Sequence, residues 1–184
     1  MPRVLVPLAP GCEELEAVTI IDLLRRAEIE VTTAGLEPGP VTCSRGTLLV
    51  PDADLDDVVE NDFDMVVLPG GQPGATHLDH DIRIHDLLAR QAAADRWSAA
   101  ICAAPIVLAS TGLLDGRSAT SFPGAIDPER YPEIRLLEQP VVTDGKVVTS
   151  RGPGTAMDFA LHLIELLLGA DRRGAVEAKL MRPG

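Results

Sequence analysis

The feature that most constrains this chain is an alternation. Short, uninterrupted apolar runs closed by Gly or Pro take turns with longer segments of helical spacing. Val4, Leu5 and Val6 are contiguous in RVLVPLA, and FDMVVLPGG and WSAAIC repeat the pattern. A strand apolar on both sides belongs in a sheet covered on both faces, and strands alternating with helices imply βαβ units. The expected elements are strands at RVLVPLA, IEVTTAG, FDMVVLPGG, WSAAIC and RSATSF. Helices are expected over CEELEAVTIIDLLRRA, DIRIHDLLARQAAA, APIVLASTGLL, Thr155 to Leu168 and Ala175 to Leu180. In the first helix Leu15, Val18 and Ile21 share one side, with Ile20 and Leu24 nearby. Hairpins are expected at residues 41–50, around Ser44-Arg45-Gly46, and at PVVTDGKVVTS with Asp144-Gly145 at the turn. The reading is one doubly wound α/β domain over residues 1–184, with a mainly parallel sheet.

Composition narrows the function classes. The chain has 184 residues, is 46% hydrophobic and carries a net charge of −12. That excess of acid opposes binding to nucleic-acid phosphates or an anionic membrane surface. No apolar run approaches the roughly 20 residues of a membrane span, and MPRVLVPLAPG does not read as a secretory signal. Three cysteines without patterned spacing argue against a disulfide framework and for the cytoplasm.

In open α/β sheets, ligands bind beyond the carboxyl ends of the strands. Three strand ends are chemically distinctive: APGCEELE, LPGGQPGA and ICAAP. Cys102 stands where a strand becomes a helix begun at Pro105, a position where free N–H groups and the helix dipole favour a thiolate. An inert buried cysteine is the plainer alternative. Glu13 and Glu14 read as solvated first-turn acids, while the pattern alone does not decide Glu16. Gly70 and Gly71 suit a sharp bend that offers N–H groups to an oxygen, or a plain turn. His77, His80 and His85 do not converge as metal ligands, and His162 reads as a boundary residue of the last helix. CxxC, HExxH, GxSxG, P-loop and dinucleotide fingerprints are missing from the sequence.

Six motifs occur together and in order: GCEELE at 11–16, RRA at 25–27, CSR at 43–45, VLPGG at 67–71, AICAAP at 100–105 and TSRGPGT at 149–155. In these the chain resembles the ThiJ/PfpI superfamily over about Arg3 to Leu180, and most the branch of the parkinsonism-associated deglycase and bacterial YajL. The resemblance implies a three-layer flavodoxin-like sandwich with a nucleophile elbow, and a homodimer. It implies an oxidation-prone Cys102 beside a protonated Glu16, and an oxyanion pocket from the N–H groups of Gly71 and Ala103, with Gly70 alongside. Arg45 is similar to the arginine that reaches the partner subunit's site, with Arg26 nearby and Cys43 near the interface. Phe122 stands where some members carry a histidine, which leaves no Cys–His dyad for a protease. Cys12 stands where relatives have a small non-thiol residue; it either resolves an oxidised Cys102 or fills a gap. Arg151 and the run around it read as a turn and helix start.

The activity implied is a glutathione-independent glyoxalase or deglycase acting on methylglyoxal, glyoxal or glycated adducts, with no metal or organic cofactor. The alternative is a redox sensor or chaperone whose cysteine is oxidised to sulfinate; a protease or amidase ranks third.

Overall fold

The structure, a computed structural model, describes residues 1–182. Its strands are β1 (Arg3–Leu8), β2 (Glu30–Gly35), β3 (Val41–Thr42), β4 (Leu48–Leu49), β5 (Ala53–Asp54), β6 (Met65–Leu68), β7 (Trp97–Ile101), β8 (Ser118–Ala119), β9 (Arg135–Leu136), β10 (Val141–Asp144) and β11 (Val147–Ser150). Its helices are α1 (Glu14–Arg26), α2 (Leu55–Val58), α3 (Gly74–His80), α4 (Ile82–Ala93), α5 (Pro105–Ser110), α6 (Ala156–Leu168) and α7 (Ala170–Glu177). Seven strands form one sheet in the order β10-β11-β7-β6-β1-β2-β5. Only β10 runs antiparallel to its neighbour.

Because successive strand residues face opposite ways, each central strand feeds two cores. Val4, Val6, Met65, Val67, Ala99 and Ile101 pack with α1, α6 and α7. Leu5, Val66, Leu68 and Ala100 pack with α2 to α5. The result is the three-layer α/β sandwich expected, with a parallel sheet in the middle.

Several local expectations are corrected. Helix α1 turns Glu16, Ala17, Ile20, Leu23 and Leu24 inward and leaves Leu15 and Val18 exposed. The stripe through Leu15, Val18 and Ile21 is therefore not the core face, because contact with the sheet and α6 selects the neighbouring one. Helix α5 ends at Ser110, four residues early, as the chain turns through Thr111 and Gly112 at φ 79°. The short helices α2 and α3 had no sequence signal strong enough to place them. In the β10–β11 hairpin Asp144 pairs with Val147, so the turn residues are Gly145 and Lys146. Gly145, at φ 60°, supplies the conformation that a first turn position of type II′ demands. Helix α7 begins at Ala170, directly after Gly169 ends α6 at φ 86°.

Candidate active site at the Cys102 elbow

The sheet order puts β6 between β1 and β7. The three distinctive loops that follow these strands are therefore neighbours, at the point where the chain, having built outward through β2, returns to the other side of β1. Cys102 leaves β7 at φ 63°, the left-handed region that an L-residue other than glycine enters at a cost of about 1–2 kcal/mol. Its backbone is held on both sides: its N–H donates to the Ser150 carbonyl at 2.9 Å, and its carbonyl accepts from the Phe122 N–H at 2.8 Å. The Ala104 N–H closes the turn onto the Ile101 carbonyl at 3.0 Å. This is a nucleophile elbow: the strain is supported by neighbouring strands, and the side chain projects where no ladder needs it.

Glu16, in the first turn of α1, is fully buried. Its Oε2 accepts from the Gly70 N–H at 2.8 Å, while Oε1 has no hydrogen-bond partner among the described residues. The Cys102 sulfur lies against this carboxyl. Gly70 is required by space: a Cβ there would sit 2.6 Å from the Cys102 Cβ and 2.7 Å from Glu16 Oε2. Gly71 is required by both space and conformation, at φ 88° with a Cβ position only 2.3 Å from the Glu13 nitrogen. The N–H groups of Gly71 and Ala103 face the thiol.

The electrostatics follow from burial. It pushes the Glu16 carboxyl up to about 7, against the opposing pull of the adjacent Cys102 thiol and the Gly70 N–H. Burial and the adjacent Glu16 push the Cys102 thiol up to about 12, and the Gly71 and Ala103 N–H groups offset only part of that. The helix-dipole argument for an easily ionised thiol is therefore outweighed: Cys102 is 9% exposed, and α5 is a helix of six residues. Between these limits the two groups hold one proton between them, which belongs to the pair and not to either residue.

The other singled-out residues fall into place unevenly. Phe122 is half exposed and tied to the elbow through its backbone. Arg45 is exposed on the β3–β4 hairpin, with its N–H bound to Glu14 at 3.0 Å. Arg26 is remote: it pairs with Asp22 at 2.6 Å, ten residues, or about 15 Å along the helix, beyond Glu16. Cys12 faces Cys43 at 3.6 Å and not Cys102. Glu14 is no solvated acid. Burial opposes its ionisation, yet N–H groups of its own residue, Arg45 and Thr47, with the Ser44 hydroxyl, hold it down at about 2. Nothing local could have disclosed that anchor, since its partners lie 30 residues and more along the chain. His77 and His80 fall on α3 and His85 on α4, and among the described residues no three His, Cys, Asp or Glu gather to hold a metal. His162 is partly buried in mid-helix, bonded to the Thr143 hydroxyl at 2.8 Å. The Arg151 segment is a turn laced by the Thr155 hydroxyl.

Comparison with known proteins agrees with this geometry. Residues 2–166 match the model of the DJ-1/PfpI family. Protein dj-1beta of Drosophila melanogaster is 45% identical over 170 residues, covering 91% of this chain and 90% of its own. The crystal structure of Drosophila melanogaster DJ-1beta superposes with a TM-score of 0.94 at 42% identity, covering 100% of this chain and 99% of that one. A protein of Caenorhabditis elegans named glutathione-independent glyoxalase DJR-1.2 is 35% identical over 94% of this chain and 92% of its own. An elbow cysteine set against a buried glutamate, on this sheet and with these relatives, leads to one conclusion: the chain belongs to the DJ-1/PfpI family, in its DJ-1 branch.

Proposed function

We propose that this protein is a cysteine-dependent glyoxalase that converts a small 1,2-dicarbonyl such as methylglyoxal to its hydroxy acid without glutathione. The observation that carries the reading is the placement of a strained, barely exposed thiol against a buried carboxyl with one unpartnered oxygen. The glyoxalase name of the C. elegans relative supports it.

The chemistry needs only these groups. Glu16 takes the thiol proton as sulfur adds to the aldehyde carbon, and the proton passes to the new alkoxide to give a hemithioacetal. Glu16 then removes the hydrogen from that carbon, and the electron pair moves toward the adjacent carbonyl to form an enediol. Return of the proton to the second carbon leaves a thioester. Water attacks the thioester, the C–S bond breaks and the thiol reforms. The sum is dicarbonyl plus water to hydroxy acid, with no net oxidation. The Gly71 and Ala103 N–H groups flank the sulfur and are placed to hold negative charge on oxygen bound to the adjacent carbon. A cysteine only 9% exposed favours a small dicarbonyl over an adduct carried on a protein.

A second reading, oxidation of Cys102 as a redox signal, draws on the same free Glu16 oxygen, which can hydrogen-bond an oxidised sulfur. Hydroxy-acid production from methylglyoxal, by wild type, Cys102→Ser and Glu16→Gln, separates the two. Turnover by wild type with both variants at background supports the glyoxalase. A wild type as silent as the variants would hand the site to the redox reading.

We further infer a homodimer. Leu15 and Val18 of α1 and Leu48 and Val50 by the hairpin are all exposed. Val18, Ile21, Leu49 and Val50, together with Leu8, Thr33 and the charged Asp22, Arg25 and Asp52, line a groove of about 280 Å³. Exposed large apolar residues clustered in this way mark an interaction surface, and Arg45 lies on the same hairpin as Leu48. Val18→Asp should convert a dimer to a monomer in light scattering; a wild type that is monomeric at micromolar concentration would refute the inference.

A further inference from the structure

Cys12 and Cys43 lie outside the chemistry described above. Their sulfurs are 3.6 Å apart, in van der Waals contact, with the residues 31 positions apart in the chain. A disulfide needs about 2.05 Å, a closure that small side-chain rotations and a slight backbone adjustment supply when the backbones are already held at the right spacing. They are held. The Gly11 N–H donates to the Thr42 carbonyl at 2.8 Å, the Ser44 N–H to the Cys12 carbonyl at 2.8 Å, and the Cys43 N–H to the Thr47 carbonyl at 2.8 Å. Glu13 and Glu14 clamp the same hairpin through the Ser44 hydroxyl and the Arg45 N–H. The two thiols are thus fixed neighbours joining the loop after β1 to the β3–β4 hairpin.

We propose that Cys12 and Cys43 form a dithiol–disulfide couple, oxidised by small hydroperoxides, which when closed latches the hairpin onto the loop that leads into α1. Cys12 is 0% and Cys43 4% exposed, which excludes bulky disulfides and leaves only small oxidants, reaching the pair through local opening of the hairpin. One sulfur attacks the peroxide: the O–O bond breaks, an S–O bond forms, and water leaves. The second sulfur then attacks the sulfenic sulfur: the S–S bond forms, the S–O bond breaks, and a second water leaves. Two thiols and one hydrogen peroxide give one disulfide and two waters. Burial above all holds both thiols protonated at neutral pH, so the reaction is slow and demands sustained peroxide. The disulfide would sit close to the reactive thiol, because the carbonyl carbon of Cys12 is 2.8 Å from where a Gly71 Cβ would be, and the Gly71 N–H faces Cys102.

The test uses the full chain bearing Cys102→Ser, which removes the other thiol and any dependence on the proposed glyoxalase. After hydrogen peroxide treatment, the chain is unfolded, free thiols are alkylated, and a non-reducing tryptic digest is analysed by mass spectrometry. Cleavage at Arg3, Arg25, Arg26 and Arg45 places Cys12 in peptide 4–25 and Cys43 in peptide 27–45. The expected result is loss of both free thiols, a linked pair of these peptides, and full recovery with dithiothreitol. Amide exchange across residues 42–47 should slow on oxidation and recover on reduction. Cys12→Ala and Cys43→Ala should each leave the remaining thiol free. Two thiols still open to alkylation after prolonged exposure to excess hydrogen peroxide would overturn the proposal. So would irreversible sulfinates at either position, or a Cys12–Cys102 link in wild type.

Discussion

Glu16→Gln should gain stability relative to wild type as the pH rises from mildly acidic to alkaline. The carboxyl is fully buried, and burial raises its pKa from the ordinary 4.5 to about 7. A folded-state value above the unfolded one means that the native state binds the extra proton. Stability from this group is therefore complete below about pH 4.5 and lost as pH rises through about 7. A pKa difference of one between folded and unfolded states is worth about 1.4 kcal/mol, so the full loss is roughly 3 kcal/mol. Titration curves with those two values place about 2 kcal/mol of it between about pH 5.5 and about pH 8, a window that avoids the isoelectric point near 4.6. Glutamine keeps the shape and removes the charge. Urea unfolding of both proteins at the two pH values reads the effect as a double difference, in which titrating groups other than Glu16 and its coupled partner Cys102 cancel. The gap between the proteins should change by about 2 kcal/mol in favour of the variant at the higher pH. A constant gap would refute the claim that the carboxyl is forced into its charged form against burial.

Three further outcomes follow from named contacts. Gly70→Ala should destabilise by about 1–3 kcal/mol in urea unfolding and abolish turnover, because the new methyl meets the Cys102 Cβ and Glu16 Oε2 at 2.6 and 2.7 Å. Glu14→Gln should speed amide exchange at Arg45 and Thr47; the native Glu14, depressed from 4.5 to about 2, should lose its hold on the hairpin as pH falls through that interval. Closing the Cys12–Cys43 disulfide should raise the urea midpoint, with a chain-entropy ceiling of about 4 kcal/mol for a loop of roughly 30 residues.

The sequence disclosed the layers because contiguous apolar strands have few alternatives: Val4, Leu5 and Val6 can all be buried only in a sheet covered on both sides. It also placed Cys102, since the break from WSAAI to a proline-led helix is written locally. It showed the helical spacing of α1 but not which side is buried, because Ala17 and Ile20 compete with Leu15 and Val18 for the core and only the packing of α6 decides. Glu16 stood undecided in the pattern for the same reason, and the motif resemblance rather than periodicity singled it out. Long-range partners had no local trace. Glu14 meets the 44–47 turn, and Cys12 meets Cys43, across about 30 residues of chain. The thiol's ionisation was misread because the dipole argument considers the turn alone, whereas burial and Glu16 act through the tertiary structure.

The central claim is that Cys102 and Glu16 titrate as one unit. The direct measurement is the rate of iodoacetamide alkylation of Cys102 against pH, followed by mass spectrometry of the peptide containing it, in wild type and in Glu16→Gln. The account predicts that the wild-type rate climbs through about pH 7, as the pair gives up its first proton, and that Glu16→Gln erases this limb. A single limb near the ordinary thiol value of about 8.5, identical in both proteins, would contradict it.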